Sequence, residues 1–314
     1  MKTEKILHAL ENAGKRIHFI GDEDAGVIIA LDMEGRLFTI MEDETLNRVN
    51  LEAIKGESSR DIYLNPGGDG LWPAPEGTTF GYQYSTGKWR VSPSIRYARF
   101  IVSHSTSVSA TIVSEVDLIN NKGIGIPTLF KREIRIEKGV KTLFLNVKES
   151  ITFIGDKSLN RSDFLIAPWT LCQFDCGPGC KVVFPWVEKN CIWDLYEESS
   201  THLRKLDNGF CHAITDGLHH YQIGIDNRVP WIEFHDPKRG LIVRRQADPI
   251  AKEFNYIDIS DVSPETPPKQ KGVKYSVYND TANFMEIEAV GGCPEIITPN
   301  LVLPLSVNTT FSKS

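Results

Sequence analysis

Apolar and polar residues alternate with a period of two along much of this chain. In "REIRIEKG", Ile134 and Ile136 fall on one side, and Arg135 and Glu137 on the other. That is the pattern of an antiparallel strand with one face in water, and "EKGVK" reads as its turn. Similar β-branched runs occur in "RYARFIVSHSTSVSATIVSEVDLIN", "VKTLFLNVKESITFIG" and "FLIAPWTLCQF". They recur in "HHYQIGIDNRVPWIEFHD", "GLIVRRQ", "GVKYSVYND" and "NFMEIEAVGG". "AGVIIALDMEGRLFTIM" reads as two strands separated by a turn at Met33–Gly35. The N-terminus differs: Ile6, Leu7, Leu10 and Ala13 recur at helical spacing and Gly14 offers a stop, so residues 1–20 predict a short helix and its lead-in. Helix–strand alternation is missing, which argues against a doubly wound nucleotide-binding fold. The expectation is an all-β chain, a large antiparallel β-sandwich with residues 1–314 as one domain and "SDVSPETPPKQKG" as a Pro-rich loop within it.

"NPGGDGLWPAPEG", Asn65 to Gly77, interrupts the alternation with four glycines and three prolines. A phosphate cradle needs such a loop to run into a helix N-terminus, and here Pro73 and Pro75 follow at once, with no Gly-Lys-Ser/Thr. The stretch reads instead as a rigid, extended loop that offers Trp72, with Asp69 and Glu76, to a ligand.

Composition narrows the partners. The 314 residues carry a net charge of -6 and no basic run, so no nucleic-acid partner is expected. No segment approaches the roughly 20 apolar residues of a membrane span, and the N-terminus lacks the apolar stretch of a secretory signal. No membrane partner is expected, and the location expected is cytoplasmic, or exported if a leader was removed. Four of six cysteines fall in "CQFDCGPGCKVVFPWVEKNC", at Cys172, Cys176, Cys180 and Cys191, with Cys211 and Cys293 beyond. Their spacing does not match a zinc site, and free buried thiols are the simpler reading, so neither metal nor cofactor is expected.

The order of segments carries a resemblance. "GRLFTI", "GGDGLWPAPEG", "SITFIGDKSLNRSDFLIAPWTLCQF" and "SVYNDTANFMEIEAVGG" follow one another in the manner of the galactose-mutarotase-like superfamily. The chain is nearest to members with a GG-x-x-LW-x-APE motif and a late YND…E-x-E strand, and the likeness runs from about Gly26 to Val307. It implies a large antiparallel β-supersandwich. Aldose mutarotases open a sugar ring with a His as general acid and a late Glu as general base. The resemblance carries the base over to Glu286 or Glu288 in "NFMEIEAVGG". The two lie on one face of a strand, about 7 Å apart at strand rise, although a solvated strand face would present the same alternation. The His does not carry over, because Ala167-Pro168-Trp169 stands where a His-Pro-Tyr would be expected, and an indole cannot serve as proton donor and acceptor. His104, His219 and His220 are the substitutes to consider.

Aromatic faces stack on pyranose rings while neighbouring polar groups bind the hydroxyls. Trp72 with Asp69 and Glu76, and Trp169 with Arg161 and Asp163, make a candidate sugar cleft. Trp186, Trp193 and Trp231 are weaker candidates, and core filling explains tryptophans equally. Arg36 joins the ligand set because the early Gly-Arg turn opens the family pattern, with Arg96 and Arg99 as further options. Two functions remain: a carbohydrate-binding protein without the usual dyad, its partner a small sugar, or a carbohydrate-active enzyme, an epimerase or glycoside-processing type, using Glu286 and Glu288.

Overall fold

The computed structural model describes residues 1–59, 61–84 and 88–313. Among these, the strands form two ten-stranded antiparallel sheets and two small two-stranded pairs. The first sheet runs in the order Ile17–Gly21, Ala25–Ala30, Arg36–Met41, Asp69–Ala74, Ala167–Asp175, Phe284–Val290, Tyr275–Asp280, Tyr221–Ile225, Ile192–Asp194. The short strand Glu44–Thr45 pairs beside it with Arg36–Met41. The second sheet is built around four long neighbours, Val302–Lys313, Thr142–Phe153, Gly125–Lys138 and Ser109–Ile119.

The two sheets differ in how their residues are buried. Strands of the second sheet alternate as the sequence predicts: in Leu241–Ala247 every other residue is buried, and Ile134 and Ile136 point inward while Arg135 and Glu137 face water. The central strands of the first sheet are buried on both faces, Asp69–Ala74 and Phe284–Val290 throughout their length. One face packs on the second sheet through Leu71, Ile287 and Ala289, part of a single apolar core that spans both sheets. The other face is covered by loops and floors a cleft. Burial on two faces removes the simple polar–apolar alternation that marks a half-solvated strand.

The N-terminal helix forms over Thr3–Asn12, and its Ile6 and Leu10 pack on Ile28, Ala30, Phe38 and Ile40 of the first sheet in a separate small apolar cluster. The Asn65–Gly77 stretch is not a free loop. Asp69–Ala74 is a central strand paired in register with Ala167–Asp175, so that Trp72 lies opposite Trp169. The pairing buries Trp72 to 4% exposure. The tryptophan expected on an extended loop is part of the sheet. No helix among the described residues is long and apolar enough to cross a membrane.

Candidate functional site

The cleft floor comes from three neighbouring strands of the first sheet. Along Phe284–Val290, Glu286 and Glu288 sit two residues apart and share the face away from Met285, Ile287 and Ala289, as strand geometry requires. The next strands set their surroundings by register. Glu286 lies between Gln173 and Tyr278, and Glu288 between Leu171 and Ser276. Directly opposed residues in such a ladder bring their Cβ atoms to roughly 5 Å.

Both glutamates are nearly inaccessible, at 5% and 1% exposure. A buried carboxylate must be hydrogen-bonded or neutralised. The Gln173 side-chain amide donates to Glu286 Oε1 at 2.7 Å, and the Trp169 indole N–H donates to Glu288 Oε2 at 3.1 Å. Gln222 donates to Glu288 at 3.2 Å. The two carboxyls also act on one another: each shifts the other's titration, and two like charges so close resist being ionised together. Burial, then the charge of Glu288, pushes Glu286 well above the usual carboxyl range, against the opposing pull of Arg36. Burial raises Glu288 to about 7. The pair therefore sets a proton-retaining Glu286 beside a Glu288 that gives up its proton near neutrality.

The walls are aromatic and acidic. Tyr63, Trp72, Trp89, Trp169, Tyr196 and Tyr278 contribute rings to a cleft of about 400 Å³, together with Glu76, Asp261 and His220. Trp72 and Trp169 meet edge to face at 6.2 Å. The Trp72 indole donates to Glu34 Oε2 at 2.9 Å, and Tyr63 donates to Glu34 Oε1 at 2.7 Å. Trp89, half out of the protein at 39% exposure, donates to Glu76 Oε1 at 3.0 Å. At the rim the His220 imidazole lies 3.2 Å from the Tyr278 hydroxyl, which donates to Asp280.

Of four sequence candidates besides the glutamates, three reach the cleft and one does not. Trp72, Trp169 and Glu76 line the cleft with Glu286 and Glu288. Asp69 does not reach it. On Asp69–Ala74 the side chains of Asp69 and Leu71 face the second sheet, where Asp69 pairs with Arg132 Nη2 at 2.6 Å and Arg245 Nη2 at 3.0 Å. Thr170 donates to it at 3.0 Å, and Glu149 joins through Arg132 at 2.7 Å. Burial alone would raise the Asp69 carboxyl, but Arg245 and Arg132 outweigh it and hold the group below its ordinary value. Strand alternation explains the misplacement: Trp72 and Asp69 are three residues apart and so lie on opposite faces.

Arg36 lies on the cleft face of its strand, under Trp72 and Tyr63. Its guanidinium binds Glu34 at 2.8 Å and sits 5.4 Å from the Trp72 ring, fully buried, with Nη1 unpaired. It acts on the cleft through its charge on Glu286. Arg161 and Asp163 are elsewhere: Arg161 pairs with Glu295 at 3.2 Å and lines a separate pocket with Tyr256 and Lys269, and the Asp163 carbonyl accepts from Asn120. Of the histidines, His220 lines the cleft, His219 pairs with Asp216 at 3.1 Å, and His104 lies exposed on the second sheet. Arg96 and Arg99 serve local contacts to Ser59 and Asp32. Trp193 and Trp231 stack under Lys271 and Arg244, outside the cleft. The six cysteines are free thiols, Cys176 half-buried and the rest buried.

Glu34, Tyr63, Trp89, Tyr196, Gln222 and Asp261 are the cleft and supporting residues that sequence reading passed over. Tyr278 and Asp280 stood within the quoted "YND" and could have been drawn from it. Gln222 sits on the Tyr221–Ile225 strand, buried throughout and so without a polar–apolar alternation, and the others sit in loops or turns where no period signals their direction.

Residues 4–290 match a family described as a family of unknown function, DUF6786. The chain belongs to that family. No curated protein matches the sequence. Among solved structures, this DUF6786 chain is similar to a galactose mutarotase-like protein from Lactobacillus casei, at 12% identity and TM-score 0.59, covering 94% of this chain and 100% of the other. A galactose mutarotase-like protein from Clostridium acetobutylicum matches at 10% identity and TM-score 0.55, covering 96% of each chain. A galactose mutarotase related enzyme from Lactobacillus acidophilus matches at 12% and TM-score 0.51, covering 95% and 98%. At such identity the likeness is one of fold: the DUF6786 chain has the galactose-mutarotase-like supersandwich.

Proposed function

We propose that the protein interconverts sugar anomers by acid–base catalysis, with the Glu286–Glu288 pair in the place of the usual histidine and glutamate. The observation that carries this reading is the buried, mutually interacting pair of carboxyls at the base of an aromatic cleft. Ring opening of an aldose needs a proton removed from the anomeric hydroxyl and one delivered to the ring oxygen, both bonded to the same carbon. Glu288, near neutrality, accepts the hydroxyl proton, and protonated Glu286 gives its proton to the ring oxygen. The C1–O5 bond breaks and the aldehyde forms. Rotation and reversal of both transfers close the ring on the other face. The proton count of the pair is unchanged, and no cofactor is consumed.

The placement of the carboxyls argues against glycoside hydrolysis. Inverting enzymes keep their acids roughly 6.5–9.5 Å apart to admit a water, and retaining enzymes place them about 5 Å apart on either side of the bond. Glu286 and Glu288 stand side by side on one strand face, and so on one side of any sugar in the cleft, which suits neither arrangement. Binding without turnover is the second reading, favoured by Ala167-Pro168-Trp169 standing where a His-Pro-Tyr would be expected.

Proton NMR of anomer exchange decides between them. Freshly dissolved aldoses should equilibrate faster with the protein present for at least one sugar. Glu286→Gln or Glu288→Gln should slow this by about 100-fold or more, the usual worth of a positioned acid or base. Line broadening without faster exchange would leave a binding protein.

A further inference from the structure

The charge of the cleft is one-sided. Glu76, Asp261, Asp280, Glu286 and Glu288 line it, and among the described residues no lysine or arginine does. Glu76 and Asp261 form a second carboxyl group of their own. Their loops are clamped by backbone bonds, Gly77 N–H to the Ser260 carbonyl and Thr78 N–H to the Val262 carbonyl, each at 3.2 Å. Trp89 donates to Glu76, and Tyr84 donates to Asp261. Neither carboxyl has an ion-pair partner among the described residues, although the charge of His220 acts on Asp261. Burial, then the charge of Asp261, pushes Glu76 well above its ordinary range, and burial raises Asp261 too. Glu286 and Glu288, Tyr196 and the hydroxyl of Tyr84 feel the same field.

A separate observation calls for a ligand. Gln222 lines the cleft at 2% exposure, and its Oε1 has no donor although its amide nitrogen is engaged by Glu288. A buried acceptor left open costs free energy until a donor arrives.

We propose that the cleft takes an amino sugar, its ammonium group received by Glu76 and Asp261. This rests on reading the cleft as a sugar site. An ammonium supplies the missing counter-charge, its donors match carboxylate acceptors, and the rings of Trp89 and Tyr63 accommodate a cation as readily as a sugar face. Sugar phosphates and uronic acids would meet five carboxyl groups, and the Arg36 guanidinium behind them is already paired with Glu34.

Calorimetric binding at pH 7 tests this with glucosamine, galactosamine and mannosamine, each beside its parent hexose, its N-acetyl derivative and the hexose 6-phosphate. Methyl glycosides, which cannot ring-open, are run in parallel to keep binding apart from turnover. At least one amine should bind ~10-fold or more tightly than its hexose and its N-acetyl form. That preference should shrink with added salt in the unaltered protein, and in Glu76→Gln and Asp261→Asn. Equal binding of amine and hexose, tighter binding of the phosphate, or no binding of any amine would overturn the proposal. Amine-selective binding without anomer exchange would overturn the catalytic reading and leave this one. Exchange on hexoses without amine preference would do the reverse.

Discussion

Glu288 makes stability depend on pH in a direction opposite to that of an ordinary surface carboxylate. In the unfolded chain its proton leaves near 4.5, and in the folded protein burial holds it to about 7. Between those values the folded state binds more protons than the unfolded one, so stability falls as pH rises through the window. A carboxyl carried from 4.5 to about 7 corresponds to about 3 kcal/mol, fully lost above the folded value. Because Glu286 and Glu288 shift one another's titration, the magnitude belongs to the pair. Glu149, also raised to about 7 by burial, adds a slope of the same sign, so the quantity to read is a difference between proteins. Urea unfolding followed by tryptophan fluorescence at pH 5 and pH 8 provides it. Stability of the unaltered protein should drop between the two pH values by about 3 kcal/mol more than that of Glu288→Gln, which cannot titrate. Parallel pH dependences in the two proteins would refute a buried, proton-retaining Glu288, and with it the acid–base role of the pair.

Two further outcomes follow from the packing around the cleft. Asp69→Asn leaves Arg132 and Arg245 without their shared carboxylate and should cost about 3–5 kcal/mol in chemical unfolding, far more than a ligand-contacting surface residue would. A Cβ on Gly70 would come within 2.6 Å of the Arg36 guanidinium carbon, which Glu34 holds in place. Gly70→Ala should therefore destabilise by about 1–3 kcal/mol in a thermal melt, and the displaced Arg36 charge should slow anomer exchange as well.

The second sheet was readable in the sequence because its strands obey a strict alternation, as in Ile134 and Ile136 against Arg135 and Glu137. The motif-bearing strands of the first sheet were less so. Phe284–Val290 shows Glu286 and Glu288 on one face, a pattern that a solvated strand would share, and only the covering loops make them buried. Asp69 illustrates the opposite error. Its place beside Trp72 in the motif suggested a shared ligand, yet an odd spacing on a strand separates the two across the sheet. Arg132 and Arg245 interrupt inward-facing apolar positions, and no local pattern announces that they meet one aspartate from another sheet. Trp89, Tyr196 and Asp261 reach the cleft from irregular segments, whose direction is fixed by tertiary contacts alone.

The ion cluster under Asp69 has a consequence for how the chain finds its alignment. Asp69–Ala74 could slide by one position against Ala167–Asp175 and keep much of its backbone ladder, but every side chain would then change faces. The slipped strand would push Trp72 toward the second sheet, leave Arg245 without its aspartate and leave Arg132 with Glu149 alone, in an apolar interior. The correct alignment is thus selected by a penalty on its nearest rival. A salt cluster on the opposite face of the sheet sets which residues the cleft displays.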